Sequence, residues 1–574
     1  MHKMEQAQMQ AAAEVSKPAQ ASQSVRQGEP KPPWKALWVL ALGLAMIVLD
    51  SSIVNVSIPA IISAIHIDLT DAQWITALYS IVLAALLLPS GRLGDMYGRK
   101  RLLQVGTVVF VGGSLLAASS QTGTVLLLAR VVQGIGGALV MPSTLSSVSA
   151  NFRGKYRATA FGVWGAVMSS AAAIGPLMGG LFTQTIGWRW IFLVNLPLGA
   201  IVFVFSIPFV PESKGQGRGE GSSLGLLSDV GGILLSAFGS AFVIFGLIEG
   251  ETYGWLRPAK SLSVGPITWS QSAPISIIPV CLVLGLALLA WFAVHELRRK
   301  SGGRLVMLDV TLFKIATFGW GNFTAAIINA GEFVVIFTLP LYLINARSLN
   351  TLQTGGIIAV LALGSIVSGG MARFVSAKLG AGGTVQLGLV LEMVGVIAAI
   401  ATMGGSTPIW LLMVGLVIYG LGLGFASAQL TSLVLSGVPI AQSGEGSATQ
   451  STIRQLGTAL GAAVSGTALS VAVGFTTPGK LASIPGLPSS ARDGLVAAVK
   501  SSAGNMISGM RAQGTHGELG SLGPQVTSAL TSGFIEGGQL AMTFACILLL
   551  VGLLASIKVR RAAEAVDSAK AASK

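Results

Sequence analysis

Apolar residues in this chain neither alternate nor keep to one helical stripe; they come in long uninterrupted runs. The stretch from Ala36 to Leu49 carries no charge and continues into Asp50 without a turn signal. A helix that crosses a hydrocarbon core needs about 20 mostly apolar residues. The pattern predicts fourteen such helices, over 36–58, 73–91, 102–121, 124–146, 158–184, 188–210, 228–248, 274–296, 318–345, 353–375, 382–403, 409–436, 448–472 and 536–557. A membrane barrel would instead show segments of about ten alternating residues. The expected fold class is therefore an all-α polytopic membrane protein.

Between the runs the connections are short, with two exceptions. Residues 211–227 are rich in Gly and Ser and read as a linker, and residues 473–535 read as a long extracytoplasmic loop. Residues 1–33 lack apolar periodicity and read as a disordered cytoplasmic tail; residues 558–574 read as a second tail. An offset of 286 residues sets Gln133-Gly134-Ile135-Gly136 opposite Tyr419-Gly420-Leu421-Gly422, and Gly175 and Gly180 opposite Gly461 and Gly466. That repeat divides the chain into a six-helix bundle over 34–210, a linker with two inserted helices over 211–300, and a second six-helix bundle over 301–557. Repeats that flank a central site are the architecture of alternating-access transporters.

Composition sharpens this picture. Only 10% of the 574 residues are charged, against about 25% in soluble proteins, which excludes an ordinary soluble domain. The 74 glycines suit membrane helices, whose backbones approach closely where side chains are small. The net charge of +14 does not point to nucleic acid, because the basic residues sit in loops. Counted by alternating side, 26 Lys and Arg lie with the two termini and 8 lie opposite. The positive-inside rule then places both termini in the cytoplasm; the expected location is the inner or plasma membrane, with a bacterial source expected. Cys281 and Cys546 each lie inside an apolar run, so neither a disulfide framework nor a thiolate metal site is expected. No nucleophile with its base, phosphate cradle or metal-ligand pattern is legible, and an enzyme is not expected.

Four strings carry candidate chemistry. Gly91-Arg92-Leu93-Gly94-Asp95-Met96-Tyr97-Gly98-Arg99-Lys100-Arg101 joins runs 2 and 3. Its glycines permit a sharp turn, while Asp95 can accept charge-assisted hydrogen bonds from arginine or a helix N-terminus. Leu49-Asp50-Ser51-Ser52-Ile53-Val54-Asn55 puts a carboxyl about fourteen residues into the first run, roughly 21 Å along a helix. A charged group at that depth needs a partner, a watery cavity or a proton; a structural Asp capped by hydroxyls is the alternative. Arg130 and Gln133 lie in Leu128-Ala129-Arg130-Val131-Val132-Gln133-Gly134, and Arg130 could stabilise a nearby acid in one state and leave it in another; a fixed ion pair is the plainer reading. Gly175-Pro176-Leu177-Met178-Gly179-Gly180 ends run 5, where proline kinks a helix and glycines allow tight contact.

These strings resemble the motifs of the major facilitator superfamily: that in run 4 resembles a motif shared by its proton-driven members, that in run 5 the antiporter motif that separates exporters from importers, and that in run 1 the first-helix motif of its drug:proton antiporters with fourteen spans. The string Gly187-Trp188-Arg189-Trp190-Ile191-Phe192, followed by Asn195 and Pro197, adds to the likeness. The resemblance is strong over runs 1–6 and weak beyond, and the Gly-Pro string has Ala171 where the family motif carries a glycine.

It implies a major facilitator fold of two six-helix bundles plus two inserted helices. It implies a proton-coupled antiporter that exports small amphipathic or cationic compounds, with a proton-driven importer or a lipid transporter on the same fold as the alternative. Asp50, Arg130 and Glu332 would couple protons to substrate; Gly91, Asp95, Gly98, Arg99 and Arg101 would form a conformational latch; Gly175, Pro176, Gly179 and Gly180 would form the antiporter motif. Further candidates are Asn55, Gln133, Glu392 and Arg454, the last as partner of a loop acid. Asp50 and Glu332 are expected to border a central cavity, because the repeat maps Asp50 to position 336. No cofactor beyond the proton gradient is implied. The expected partners are a small-molecule substrate, protons and the bilayer, with an accessory export partner as one reading of loop 473–535, and the chain is expected to act as a monomer.

Overall fold

The computed structural model describes residues 33–67, 69–152, 155–214, 229–264, 267–304, 306–439, 442–516 and 519–572. The tail 1–32 and most of the linker 211–227 lie outside the described residues.

The helices follow the apolar runs: α1 Trp34–Ile65, α2 Leu69–Tyr97, α3 Arg99–Ser119, α4 Gly123–Asn151, α5 Lys155–Thr185 and α6 Trp190–Phe209. Next come α7 Val230–Ile248, α8 Ile277–Ser301 and α9 Ala316–Leu341, which ends in a π-helical turn, Tyr342–Ala346. Helices α10 (351–379) and α11 (381–402) run on as Thr351–Thr402, interrupted at Gly380, whose φ of 70° only glycine adopts without strain. Helices α12 Ile409–Val434 and α13 Ser443–Ala482 follow, and α16 Gly523–Ala572 closes the chain. Division at Gly380 gives fourteen crossings among the described residues, so Trp34 and Ala572 fall on one face, called here the terminal face.

Two six-helix bundles result, α1–α6 and α9–α13 with α16, and the pair α7 and α8 is inserted between them. Glycines set the pair's spacing: a Cβ at Gly239 or Gly246 would lie 2.9 or 2.7 Å from Leu289 or Leu282. Helix α7 in turn lies on α2 and α13, where Ile244 packs with Ala77, Ile81 and Ala459 and Trp74 stacks on Phe245 at 5.7 Å. A short hairpin, β1 Leu262–Val264 and β2 Ile267–Trp269, joins the pair on the opposite face.

The internal repeat is visible in the packing. A Cβ at Gly136 would collide with Gly106 O and Phe110 N of α3; one at Gly422 would collide with Gly388 O and Glu392 N of α11. Gly113 against Gln133 is matched by Gly395 against Tyr419. The α3–α4 contact is thus rebuilt as α11–α12, with α11 shifted by one helical turn relative to the sequence offset.

The segment 473–535 is not the loop that its composition suggests. Helix α13 runs on to Ala482, α14 Ser489–Ser501 and α15 Asn505–Gln513 follow, and α16 begins at Gly523. Val499, Ile507, Leu530 and Phe534 join the main apolar core. Asn345 donates to Ala503 O at 3.1 Å, and Arg511 donates to Asn345 O and Thr531 at 3.3 and 3.0 Å. The segment is a helical cap on the opposite face, held by buried side chains that its many Gly and Ser residues obscure. The tail read at 558–574 likewise continues α16 as helix to Ala572.

Candidate functional site

Within the first bundle, five helices converge on Asp50. Arg130 Nη1 of α4 donates to Asp50 Oδ2 at 2.6 Å. Gln133 Nε2 and Asn195 Nδ2 donate to Asp50 Oδ1 at 2.9 and 2.7 Å, and both also reach Ser114 Oγ of α3, at 2.8 and 3.2 Å. Arg130 further donates to Gln133 Oε1 at 2.8 Å and to Ile75 O of α2 at 3.2 Å, and its guanidinium lies over the Tyr79 ring at 4.0 Å. Asp50, Arg130, Gln133, Ser114 and Asn195 are wholly buried. A charge taken into such an interior is tolerated only with a partner and further hydrogen bonds, and here both carboxylate oxygens are engaged.

This arrangement departs from the sequence reading in two respects. Asp50 does not border an open cavity; it is sealed inside its own bundle. Asn195, Ser114 and Tyr79 join the cluster although no role was expected of them, and the signal that marks them is polarity within otherwise apolar helices. The side chain of Asn55 lies outside the described residues.

The second bundle holds a different group. Glu332 of α9 is buried with Oε1 unpartnered, and Glu392 of α11 is wholly buried with neither carboxyl oxygen partnered. Arg454 of α13 acts electrostatically on Glu332, and Glu332, Glu392 and Tyr419 act on one another. The acid within electrostatic reach of Arg454 is thus Glu332, inside the bundle, not the loop acid expected for it. No described hydrogen bond joins this group to Asp50, so the acids of the two halves form separate clusters.

The two halves meet at the terminal face. Asp95 Oδ1 accepts from Arg99 Nε and Nη2 at 3.1 and 2.7 Å. It also accepts from Gly444 N at 3.1 Å, while Asp95 Oδ2 accepts from Glu445 N at 3.1 Å. Asp95 of one bundle thus caps the N-terminus of α13 in the other, where free N–H groups and the helix dipole favour an anion. Gly91 allows this approach, since a Cβ there would overlap Ala448 and Gly444 O. Gly98 turns the chain with φ 113°, and its space is taken by the Glu212 carboxylate. Arg101, largely exposed, lies 3.9 Å from Glu212. Nearby, Arg157 of α5 donates to Ser432 Oγ and O of α12, each at 3.3 Å.

The Gly-Pro string sits where α5 touches both bundles. A Cβ at Gly175 would overlap Ser52 Oγ of α1, and one at Gly179 would come 2.8 Å from Ile53 O. On the other side Gly180 faces Leu352 of α10 at 3.4 Å, and a Cβ at Gly355 would meet Leu177 N at 2.8 Å and the carbonyl carbon of Pro176 at 3.0 Å. Farther along these helices lies a cavity of about 590 Å³ between α1, α5, α6 and α10, lined by Trp38, Leu49, Ala166, Ser170, Ile174 and Ile366 among others. Its wall is almost wholly apolar, and Ser170 adds a hydroxyl with no hydrogen-bond partner.

Comparison with known proteins agrees with this architecture. The sequence pattern of the Major Facilitator Superfamily matches residues 40–462. The chain is 31% identical over 447 residues to the probable actinorhodin transporter of Streptomyces coelicolor, covering 76% of this chain and 72% of that one. It is 28% identical to the tetracenomycin C resistance and export protein of Streptomyces glaucescens, covering 78% of each. It is 29% identical to the riboflavin transporter RibZ of Clostridioides difficile, covering 75% and 87%. Among solved structures, the human organic anion transporter MFSD10 superposes with a TM-score of 0.52 at 14% identity, over 92% of this chain and all of that one.

Proposed function

We propose, from the premise that the chain belongs to the Major Facilitator Superfamily, that it is a proton-coupled antiporter exporting small amphipathic or cationic compounds by alternating access. The observation that carries the proposal is the Asp50–Arg130 pair, a wholly buried carboxylate with its counter-ion at 2.6 Å. A proton delivered to Asp50 would cancel the charge that Arg130 answers and free the guanidinium to move. Asp95, anchored on the start of α13, acts as the latch that holds the terminal face closed. The excess of Lys and Arg assigns that face to the cytoplasm.

The apolar cavity beside Leu49 supplies a surface for amphipathic cargo, and Glu332 supplies a second acid in the other half. A relative named for tetracenomycin C resistance and export supports the direction of transport. Binding of proton and substrate is mutually unfavourable, and linkage makes that relation reciprocal.

Everted membrane vesicles energised to acidify their interior test this reading. Lipophilic cations or neutral drugs should release protons from wild-type vesicles, and the release should vanish in Asp50→Asn. Substrate movement without proton release, or a mutant that matches wild type, would overturn the assignment of Asp50.

A further inference from the structure

The inserted helices carry a polar cluster that the transport mechanism does not use. Asp229 caps α7: its Oδ1 accepts from Gly232 N at 3.0 Å and meets His295 Nε2 of α8 at 2.8 Å. Glu296, the next residue of α8, turns Oε2 to Met307 N and Leu308 N at 2.7 and 3.3 Å. Asp229 Oδ2 and Glu296 Oε1 have no hydrogen-bond partner, although Asp229 is 6% and Glu296 1% exposed.

Both unpartnered oxygens aim at one place. A Cβ built on Gly232 would lie 2.6 Å from Glu296 Oε1 and 2.7 Å from Asp229 Oδ2, so glycine keeps that spot clear of side chain. Arg299 Nε approaches Asp229 Oδ2 to 3.3 Å and answers one of the two carboxylates. Two buried carboxyl groups brought this close need a further proton or cation between them, because a buried charge without a partner is costly. One ligand atom from each of Asp229, His295 and Glu296 falls within 4.8 Å of the others. Metal bonds of about 2.1 Å need such atoms roughly 3.4 Å apart, a closure within reach of a His295 ring that is 28% exposed.

We propose that Asp229, His295 and Glu296 form a binding site for one divalent transition-metal ion of the zinc class, bridging the inserted helices α7 and α8 at the terminal face. An imidazole nitrogen with two carboxylate oxygens suits such an ion better than calcium or magnesium, which take oxygen alone. The exposed edge of His295 gives the ion its way in. Through Glu296 the site also grips the connection at Met307 and Leu308, one residue before Asp309, whose N–H donates to Glu445 beside the latch. Sequence spacing hides the site, because Asp229 and His295 are 66 residues apart.

The test uses the full-length chain in detergent, with any histidine tag removed, stripped with chelator and titrated with zinc ion by calorimetry. One ion per chain should bind, calcium should not compete, and His295→Ala should weaken binding by more than the roughly 10–100-fold cost of losing a second-shell partner. Glu296→Gln serves as second variant, and hydrogen exchange on zinc addition should slow at 229–232 and 306–310. Asp50→Asn should bind zinc like wild type, which separates this site from the transport reading. Absence of stoichiometric binding, binding indifferent to His295→Ala, or protection elsewhere would overturn the proposal and leave a proton shared between Asp229 and Glu296.

Discussion

The two bundles share a frame and treat their buried acids in opposite ways. In the first, the close packing of α3 on α4 sets Ser114 and Gln133 beside Asp50, and Arg130 completes the pair. In the second, the matching contact of α11 on α12 places Tyr419 where Gln133 stands; the same register sets Leu416 at the place of Arg130 and Val396 at that of Ser114, both buried. The donors have gone while acids remain, so Glu392 lies against α12 with both oxygens unanswered. Glycine spacing therefore preserves a backbone contact, and the electrostatics of each half depend on the few side chains that fill it.

The contrast can be broken by mutation, most severely in the first bundle. Arg130→Met should destabilise the detergent-solubilised protein by about 3–5 kcal/mol, the cost of leaving one member of a buried pair. Adding Asp50→Asn should restore most of that loss in chemical unfolding, and a double mutant no better than the single one would refute the pairing. Asn195→Ala removes one charge-assisted donor to Asp50 and should cost about 1.5–3 kcal/mol in the same assay. Glu392→Gln should change stability by no more than about 1 kcal/mol, because it breaks no hydrogen bond. A loss as large as that of Arg130→Met would mean that the second cluster is as fully compensated as the first.

The smallest expected effect lies outside the membrane and concerns an acid answered by a flexible lysine. Burial opposes the charge on Asp309, yet hydrogen bonds from Lys300 and Thr311 outweigh it and hold the carboxyl below the ordinary carboxylate range. A depressed folded pKa stabilises above the unfolded value, and the contribution disappears as pH falls through the folded one. The difference in melting temperature between wild type and Asp309→Asn should therefore shrink on acidification below the ordinary carboxylate range. Because the Lys300 side chain is 43% exposed, salt should reduce it as well.

Much of the fold was legible in the runs themselves. Fourteen crossings among the described residues, the inserted pair and the connection that carries Asp95 follow from hydrophobic length, loop charge and glycine placement, each a local property. The helical cap over 473–535 was not legible, because its apolar residues are few and gain their meaning only by burial under Phe534 and Leu530. Asp50, Arg130 and Gln133 stood out as polar groups in apolar runs, and the structure brings them together. Asn195 was visible within a string but not as a ligand of Asp50, since 145 residues separate them.

Residue order alone determined that this chain crosses a membrane, which loops carry the positive charge and which helices contain acids, because the bilayer reads hydrophobic length and charge one segment at a time. The tertiary structure decided which acids are answered. Asp50 meets donors from two other helices, Arg454 lies within electrostatic reach of Glu332, and Glu392 meets no described hydrogen-bond donor. Hydrogen bonds act over about 3 Å, so partners far apart in sequence are chosen only when the helices pack.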